Sequence, residues 1–136
     1  MKYVSIIGEN EELKQLLAEG LMAKGYSYNK AIIETDEHTN DKFYRHVSTE
    51  LFDKLIEHKM IVSVELMGGV RYGTAEPVGS IEYVGMETEI GNKALKDRFG
   101  KQIITVCVAK GERADNEITL NSYDEITQVI KEISMI

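Results

Sequence analysis

Short apolar runs alternate along this chain with segments of helical periodicity, and that alternation limits the possible folds more than any other feature of the sequence. The runs at residues 3–7, 81–86 and 103–108 are typical of strands. Leucines spaced along one helical face mark residues 13–21 as an intervening helix. Strands that alternate with helices build a parallel sheet with helices on both faces. We therefore predict an α/β fold of three layers around a largely parallel sheet.

The middle of the chain departs from this alternation. Residues 61–66 and 70–74, joined by Met67-Gly68-Gly69, have the pattern of a hairpin, which predicts a small β lobe beside the main sheet. Periodicity and caps predict the remaining elements: a strand at 28–33, a loop at 34–42, a helix from Ser48 to about His58, a helix at 90–99, a strand at 117–120, and a last helix behind a capping box of Ser122 and Glu125.

The composition limits both size and partners. The chain has 136 residues, of which 43% are hydrophobic and one is proline, and this predicts a single domain over residues 1–136. Its 23 acidic and 16 basic residues give a net charge of -7. Because binding to nucleic acid or to an anionic membrane depends on a surplus of lysine and arginine, the sequence disfavours both partners.

The cysteine and histidine residues limit the disulfides and metal sites that the chain can form. Cys107 is the one cysteine, so no disulfide can form within the chain, and its apolar neighbours predict a buried residue. His38, His46 and His58 lack the spacing of metal ligands. The sequence has no run of about 18 apolar residues and opens without a basic segment followed by a long apolar one. We expect a cytoplasmic protein that binds neither a metal nor a cofactor.

The turn after the first predicted strand has the frame of a phosphate-binding loop without its chemistry. A P-loop has the pattern G-x-x-x-x-G-K-[ST], and residues 8–15 have the sequence G-E-N-E-E-L-K-Q. Gly8 and Lys14 keep the spacing, but Leu13 replaces the second glycine and Gln15 replaces the hydroxyl that binds Mg²⁺. Three glutamates lie where phosphates would bind. We predict that this degenerate P-loop cannot hold a triphosphate, although the same residues make a favourable helix start.

Four further segments resemble, in the same order, motifs of the guanylate kinase family over nearly the whole chain. Residues 43–48, F-Y-R-H-V-S, resemble the family's D-Y-x-F-V-S, and residues 70–74, V-R-Y-G-T, resemble N-x-Y-G-[ST]. Residues 87–99 resemble I-D-x-Q-G followed by a helix that ends in K-x-x-F, and residues 118–124, I-T-L-N-S-Y-D, resemble V-I-x-N-D-D-L. The resemblance implies a fold like that of the P-loop kinases.

The resemblance also implies where a ligand would bind. Tyr44, Tyr72 and Thr74 match positions that contact the acceptor nucleotide GMP, with the two phenols toward the phosphate and the hydroxyl near the phosphate or the base edge. Ser63 falls at the glutamate that binds guanine in the family, and Glu65 follows two residues later on the same strand face. The alternative is that the tyrosines and Thr74 have ordinary packing roles.

The groups that would carry catalysis in this family are missing. Active members bind the GMP phosphate with arginines upstream of the Tyr44 position, and this chain has no arginine before Arg45. Only residues 109–116 separate the last two predicted strands, too few for a helical lid. The family's strand-end aspartate falls nearest Thr88. Because phosphoryl transfer depends on positioning and on charge stabilisation, we predict that the chain has no kinase activity.

Positive side chains elsewhere could replace the lost phosphate contacts. The candidates are Arg45, Arg71, Lys30 and Lys42. The alternative is that all four are solvated surface charges, as most scattered lysines and arginines are.

Three functions follow as alternatives. The first is a catalytically inactive binding domain for a nucleoside monophosphate or for a phosphorylated or acidic peptide partner, which the resemblance implies. The second is a nucleotide-acting enzyme, either a kinase with an unusual donor or a hydrolase with a metal held by carboxylates, namely Glu9, Glu11, Glu12, Glu87 and Glu89. The third is a structural oligomerisation module without a small ligand.

Overall fold

A computed structural model of the chain describes residues 1–36, 41–79, 81–109 and 117–136. Parallel strands form the main sheet, in the spatial order β2 (Ser27–Tyr28), β7 (Glu82–Met86), β1 (Lys2–Gly8), β8 (Ile103–Val108) and β9 (Glu117–Leu120). Its helices are α1 (Glu11–Ala23), α3 (Glu89–Phe99) and α4 (Ile126–Ser134). The predicted three-layer α/β fold around a parallel sheet is confirmed.

The central strand of this sheet, β1, has apolar side chains on both faces, and helices cover each face. Val4 and Ile6 pack with Leu17 of α1 and with α4. Tyr3 points to the opposite face, as alternation along a strand requires, and packs with Leu95 of α3. All five side chains are fully buried. Since each contributes about 1.5–3 kcal/mol by leaving water, both helical layers are held by their contacts with β1.

The other strands form a second, mixed sheet in the order β4 (Tyr44–Val47), β3 (Ala31–Glu34), β6 (Val70–Ala75) and β5 (Ile61–Met67). Strands β5 and β6 form the predicted hairpin, and β3 runs antiparallel to β6 but parallel to β4. Helix α2 (Thr49–Glu57) covers one face, where Phe52 and Leu55 pack with Ile32 and Val47. The opposite face carries the side chains that concern the functional site.

The predicted strand at residues 28–33 is two strands in different sheets, so that prediction was wrong. Strand β2 pairs with β7, whereas β3 pairs with β4 and β6. Asn29 lies at the break, and its side-chain amide donates to the Tyr3 hydroxyl at 3.0 Å and to the Ala75 carbonyl oxygen at 2.9 Å. Because these acceptors belong to different sheets, Asn29 ties the sheets together where the chain crosses between them.

Strand β4 was not predicted, because the expected elements pass from a loop at 34–42 to a helix that begins at Ser48, with no strand between them. The strand pairs with β3 through a parallel register from Ala31 with Tyr44 to Glu34 with Val47. The hairpin is therefore extended by β3 and β4 into a lobe of four strands. A parallel pairing of two four-residue strands depends on a partner distant in sequence, so periodicity alone does not indicate it.

The predicted helix caps are confirmed in part. The Ser48 side chain caps α2 by accepting a hydrogen bond from the Leu51 amide at 3.2 Å. At the last helix the Glu125 carboxylate accepts from the hydroxyl of its predicted partner Ser122 at 3.3 Å and from the amide of Asn121, one residue earlier, at 3.1 Å. A single 3₁₀ turn then precedes α4.

Cys107 is fully buried in β8, as predicted. Within the described segments, none of the helices combines the length and the apolar character that a membrane crossing requires.

Candidate ligand-binding cleft

A cleft of about 210 Å³ lies where α1, β4, β6 and the carboxyl end of β7 meet. We call it the inter-sheet cleft, and its lining residues are Glu11, Lys14, Tyr44, Met67, Tyr72, Met86, Glu87 and Thr88. The carboxyl ends of parallel strands are the usual place for ligands in open α/β sheets. Folding thus brings residues of the degenerate P-loop together with two of the predicted binding residues.

The degenerate P-loop is a short turn. Strand β1 ends at Gly8 and α1 begins at Glu11, so two residues separate them. The Asn10 side chain accepts from the Leu13 amide at 3.1 Å, which uses one of the donors that a P-loop would offer to phosphate. The buried Lys14 forms an ion pair with Glu11 at 2.6 Å. One amide donor of the turn and the charge of Lys14 are therefore both paired within the chain.

Tyr44 and Tyr72 face each other in the cleft with their rings edge to face, at a centroid distance of 6.3 Å. Burial raises the pKa of both hydroxyls, and the negative charge of Glu87 adds to the rise. Both phenols are therefore neutral and able to donate hydrogen bonds. Thr74 projects from the same face of β6 as Tyr72 and is 1% exposed.

Ser63 and Glu65 lie opposite these residues on the neighbouring strand. Ser63 pairs with Thr74 and Glu65 with Tyr72 in the antiparallel register, so all four side chains share the cleft face of the second sheet. The Thr88 hydroxyl donates to the Glu65 carboxylate at 2.6 Å and accepts from a backbone amide of α3 at 2.9 Å. This contact joins the hairpin to the start of α3.

Glu87 is the functional candidate whose importance the sequence did not show. It was considered only as one of several possible metal ligands, yet it is 6% exposed and lines the cleft. The Tyr3 hydroxyl donates to its Oε1, and Asn29 donates to that hydroxyl in turn. Burial raises the pKa of Glu87 to about 7, an effect that the hydroxyls of Tyr3 and Thr74 partly offset. In the sequence, the one feature that points to Glu87 is its position directly after an apolar run that is typical of a buried strand.

The structure does not bring Arg71 to the cleft. Its guanidinium forms ion pairs with Glu34 and Asp53, each at 2.7 Å, and lies 4.4 Å from the Phe52 ring centroid. The bond from Arg71 lowers the pKa of Glu34. Because Arg71 is one residue from Tyr72 on the strand, it occupies the opposite face, toward α2. Arg71 therefore supports the packing of α2 on the second sheet.

Arg45 alternates in the same way with Tyr44 and is exposed, so it too lies away from the cleft. Lys42 pairs with Glu19 at 3.0 Å, and Lys30 is exposed. None of these basic side chains lines the cleft in the part of the chain that the structure describes. Residues 110–116, most of the segment predicted to be too short for a lid, lie outside the described residues.

The carboxylates considered as metal ligands are divided among separate cavities. Glu11 and Glu87 line the inter-sheet cleft, Glu9 and Glu89 line a second cavity, and Glu12 lines a third. Among the described residues, no group of three or more histidine, cysteine, aspartate or glutamate side chains is arranged to hold a metal ion.

Comparison with known proteins identifies a similar fold, but it identifies no family by sequence. No protein-family model matches the sequence, and no curated protein matches it. Among solved structures, the chain is similar to guanylate kinase from Anaplasma phagocytophilum, with a TM-score of 0.72 and 10% sequence identity. The match covers 98% of this chain and 85% of that one. The chain therefore has a guanylate-kinase-like fold.

Proposed function

We propose that this chain is a catalytically inactive binding domain that takes its ligand in the inter-sheet cleft. The observation that carries the proposal is the ion pair between Lys14 and Glu11, at 2.6 Å. Among the described residues, Lys14 is the one basic residue that lines the cleft, and the ion pair neutralises its charge. Phosphoryl transfer needs concentrated positive charge around the phosphates of donor and acceptor, so this arrangement favours binding without transfer.

Of the two ligand classes that the resemblance implies, the size of the cleft favours the smaller. About 210 Å³ is less than the roughly 300–1,000 Å³ of typical sites for drug-sized ligands. A nucleoside monophosphate could place its base or its sugar there, whereas a phosphorylated or acidic peptide would contact the cleft only through one side chain. We therefore take a nucleoside monophosphate as the first ligand to test and the peptide as the second.

Hydrogen bonds from neutral groups would supply most of the affinity. Tyr44 and Tyr72 offer two hydroxyls in the cleft, and Thr74 has a third, 1% exposed, on the same face of β6 as Tyr72. Each neutral hydrogen bond contributes about 0.5–1.5 kcal/mol net. A phosphate in the cleft would gain these bonds but would also lie near the carboxylates of Glu11 and Glu87. The phosphate should therefore add little, and binding should be weak.

The proposal predicts that Mg-ATP does not bind. Isothermal titration of the whole chain with Mg-ATP should show no saturable heat at about millimolar concentration. This corresponds to a binding free energy less favourable than about -4 kcal/mol. The physical reason is the two-residue turn with its paired lysine. Saturable binding in the micromolar range, or transfer of phosphate from ATP to GMP, would contradict the assignment as a non-kinase.

A second prediction concerns the acceptor side of the cleft. Guanosine should bind at least as tightly as GMP, because the basic side chain that the described part of the chain offers to a phosphate in the cleft, Lys14, is already paired with Glu11. Tyr72→Phe and Thr74→Ala should each weaken binding of either ligand by about threefold to tenfold, the cost of one hydrogen bond. Tyr123→Phe is the matched control, since Tyr123 is 68% exposed and lies outside the cleft. Unchanged affinity in both cleft variants would favour a structural or oligomerisation module instead.

A further inference from the structure

Glu87 is a buried carboxylate with incomplete hydrogen bonding. Its Oε1 accepts from the Tyr3 hydroxyl, but its Oε2 has no hydrogen-bond partner among the described residues. The Thr74 hydroxyl, 1% exposed, lies close enough to Glu87 to lower the pKa of that carboxyl, but it forms no hydrogen bond of ordinary geometry within that part of the chain. Buried polar atoms in folded proteins are nearly always paired, because an unpaired one keeps the full cost of its desolvation. A ligand that brings a hydrogen-bond donor to Glu87 would remove that cost.

The electrostatic environment of the cleft is negative. Beyond the effect of burial, the charges of Glu11 and Glu87 raise the pKa of the Tyr44 hydroxyl. The charges of Glu87 and Glu65 do the same to the hydroxyl of Tyr72. Each of these rises means that a negative charge on the phenol is disfavoured where it lies. The same field disfavours a bound anion and favours a bound cation.

The side chains around Glu87 suit an organic cation. The rings of Tyr44 and Tyr72 lie 6.3 Å apart at an interplanar angle of 66°, so their faces differ in direction. Aromatic faces attract cationic nitrogen, most strongly when the site is shielded from water. Met67 and Met86 add flexible, polarizable wall atoms that adapt to the shape of an organic ligand.

We infer that the inter-sheet cleft binds an organic cation, an ammonium or amidinium group whose N–H donates to the free carboxylate oxygen of Glu87. The inference rests on the proposed function only in using the same cleft. A cation would compete there with a nucleoside monophosphate, whose base and sugar carry no positive charge. An amidinium has two adjacent donors, which matches a carboxylate flanked by the Thr74 hydroxyl. An organic ligand is favoured over a metal ion because the other wall groups are aromatic rings and thioethers.

Three small probes of similar shape test the charge that the cleft prefers. Benzamidine is cationic, benzamide is its neutral counterpart, and phenyl phosphate is anionic. In isothermal titration of the whole chain near neutral pH, benzamidine should bind at least about tenfold more tightly than either other probe, as a charge-assisted bond exceeds a neutral one. Glu87→Gln should remove most of that preference. Glu12→Gln, on the exposed side of α1 and outside the cleft, should leave it unchanged.

A second variant keeps the inference testable if the first alters the fold. Glu11→Gln releases Lys14 from its ion pair, so phenyl phosphate should bind several-fold more tightly and benzamidine less tightly than to the parent chain. Preferential binding of phenyl phosphate to the parent chain, or benzamidine binding that Glu87→Gln leaves intact, would overturn the cation assignment while leaving the cleft as a binding site. If none of the probes, GMP or guanosine binds, the proposed function fails as well.

Discussion

Gly8→Ala is expected to destabilise the domain by about 3 kcal/mol or more, because the alanine would have both a strained backbone conformation and a Cβ that overlaps a neighbouring strand. Gly8 has a φ of +127°, which residues with a side chain rarely adopt. A Cβ built there would overlap the carbonyl oxygen of Val108 in the neighbouring strand. That oxygen belongs to the backbone of the main sheet, so it cannot rotate away as a side chain could. Urea denaturation, followed by circular dichroism, would measure the change in unfolding free energy.

A matched substitution separates the two contributions at Gly8. Gly25 also has a positive φ, +102°, but a Cβ there would have no atom within 4 Å. Gly25→Ala should therefore show the conformational cost alone, about 1 kcal/mol. If Gly8→Ala were no more destabilising than Gly25→Ala, close packing of β1 against β8 would not be the reason for the glycine, and its retention in the degenerate P-loop would need another explanation.

Glu87→Gln is expected to raise stability by about 3 kcal/mol above pH 8 and to have little effect near pH 4. The carboxyl has a pKa of about 7 in the folded chain against 4.5 in the unfolded one. The folded chain therefore holds the proton more tightly, so the parent's stability is highest below about pH 4.5 and falls as the pH rises toward 7. The isosteric amide carries no charge and avoids that loss. It also places a donor beside the Thr74 hydroxyl.

The measurement is the unfolding free energy of parent and variant at several pH values between about 4 and 8. Other groups titrate in this range, so Glu12→Gln serves as the control: it removes an exposed glutamate and should leave the pH dependence of the parent intact. If the unfolding free energies of the parent and of Glu87→Gln changed with pH in the same way, the prediction would be wrong. Ionisation of Glu87 would then cost the folded protein nothing, which means that the carboxylate is hydrated or paired.

The sequence by itself determined four of the five strands of the main sheet, all but β2. Strand β8 was predicted at its observed bounds, 103–108, and β1 and β7 within one residue at each end, because strands buried among helices are nearly continuous apolar runs. The degenerate P-loop was also visible in sequence, since a missing glycine and added carboxylates are properties of residue type. The pairing of Lys14 with Glu11 was not predicted, although a helix places residues three apart side by side.

Only the tertiary structure decided which residues share the inter-sheet cleft. Alternation along a strand puts Tyr72 and Thr74 on one face, but it cannot place that face toward Glu87 or Lys14, which are distant in sequence. Strand β4 was missed because its partner β3 lies beyond a loop. The break at Asn29 was missed because a change of pairing partner, from β7 to β4 and β6, leaves no local signal in the sequence. Arg71 was a candidate for the cleft until its ion pairs placed it on the other face. Burial, which gives Glu87 its raised pKa, is a property of the whole fold and has no local signal in the sequence.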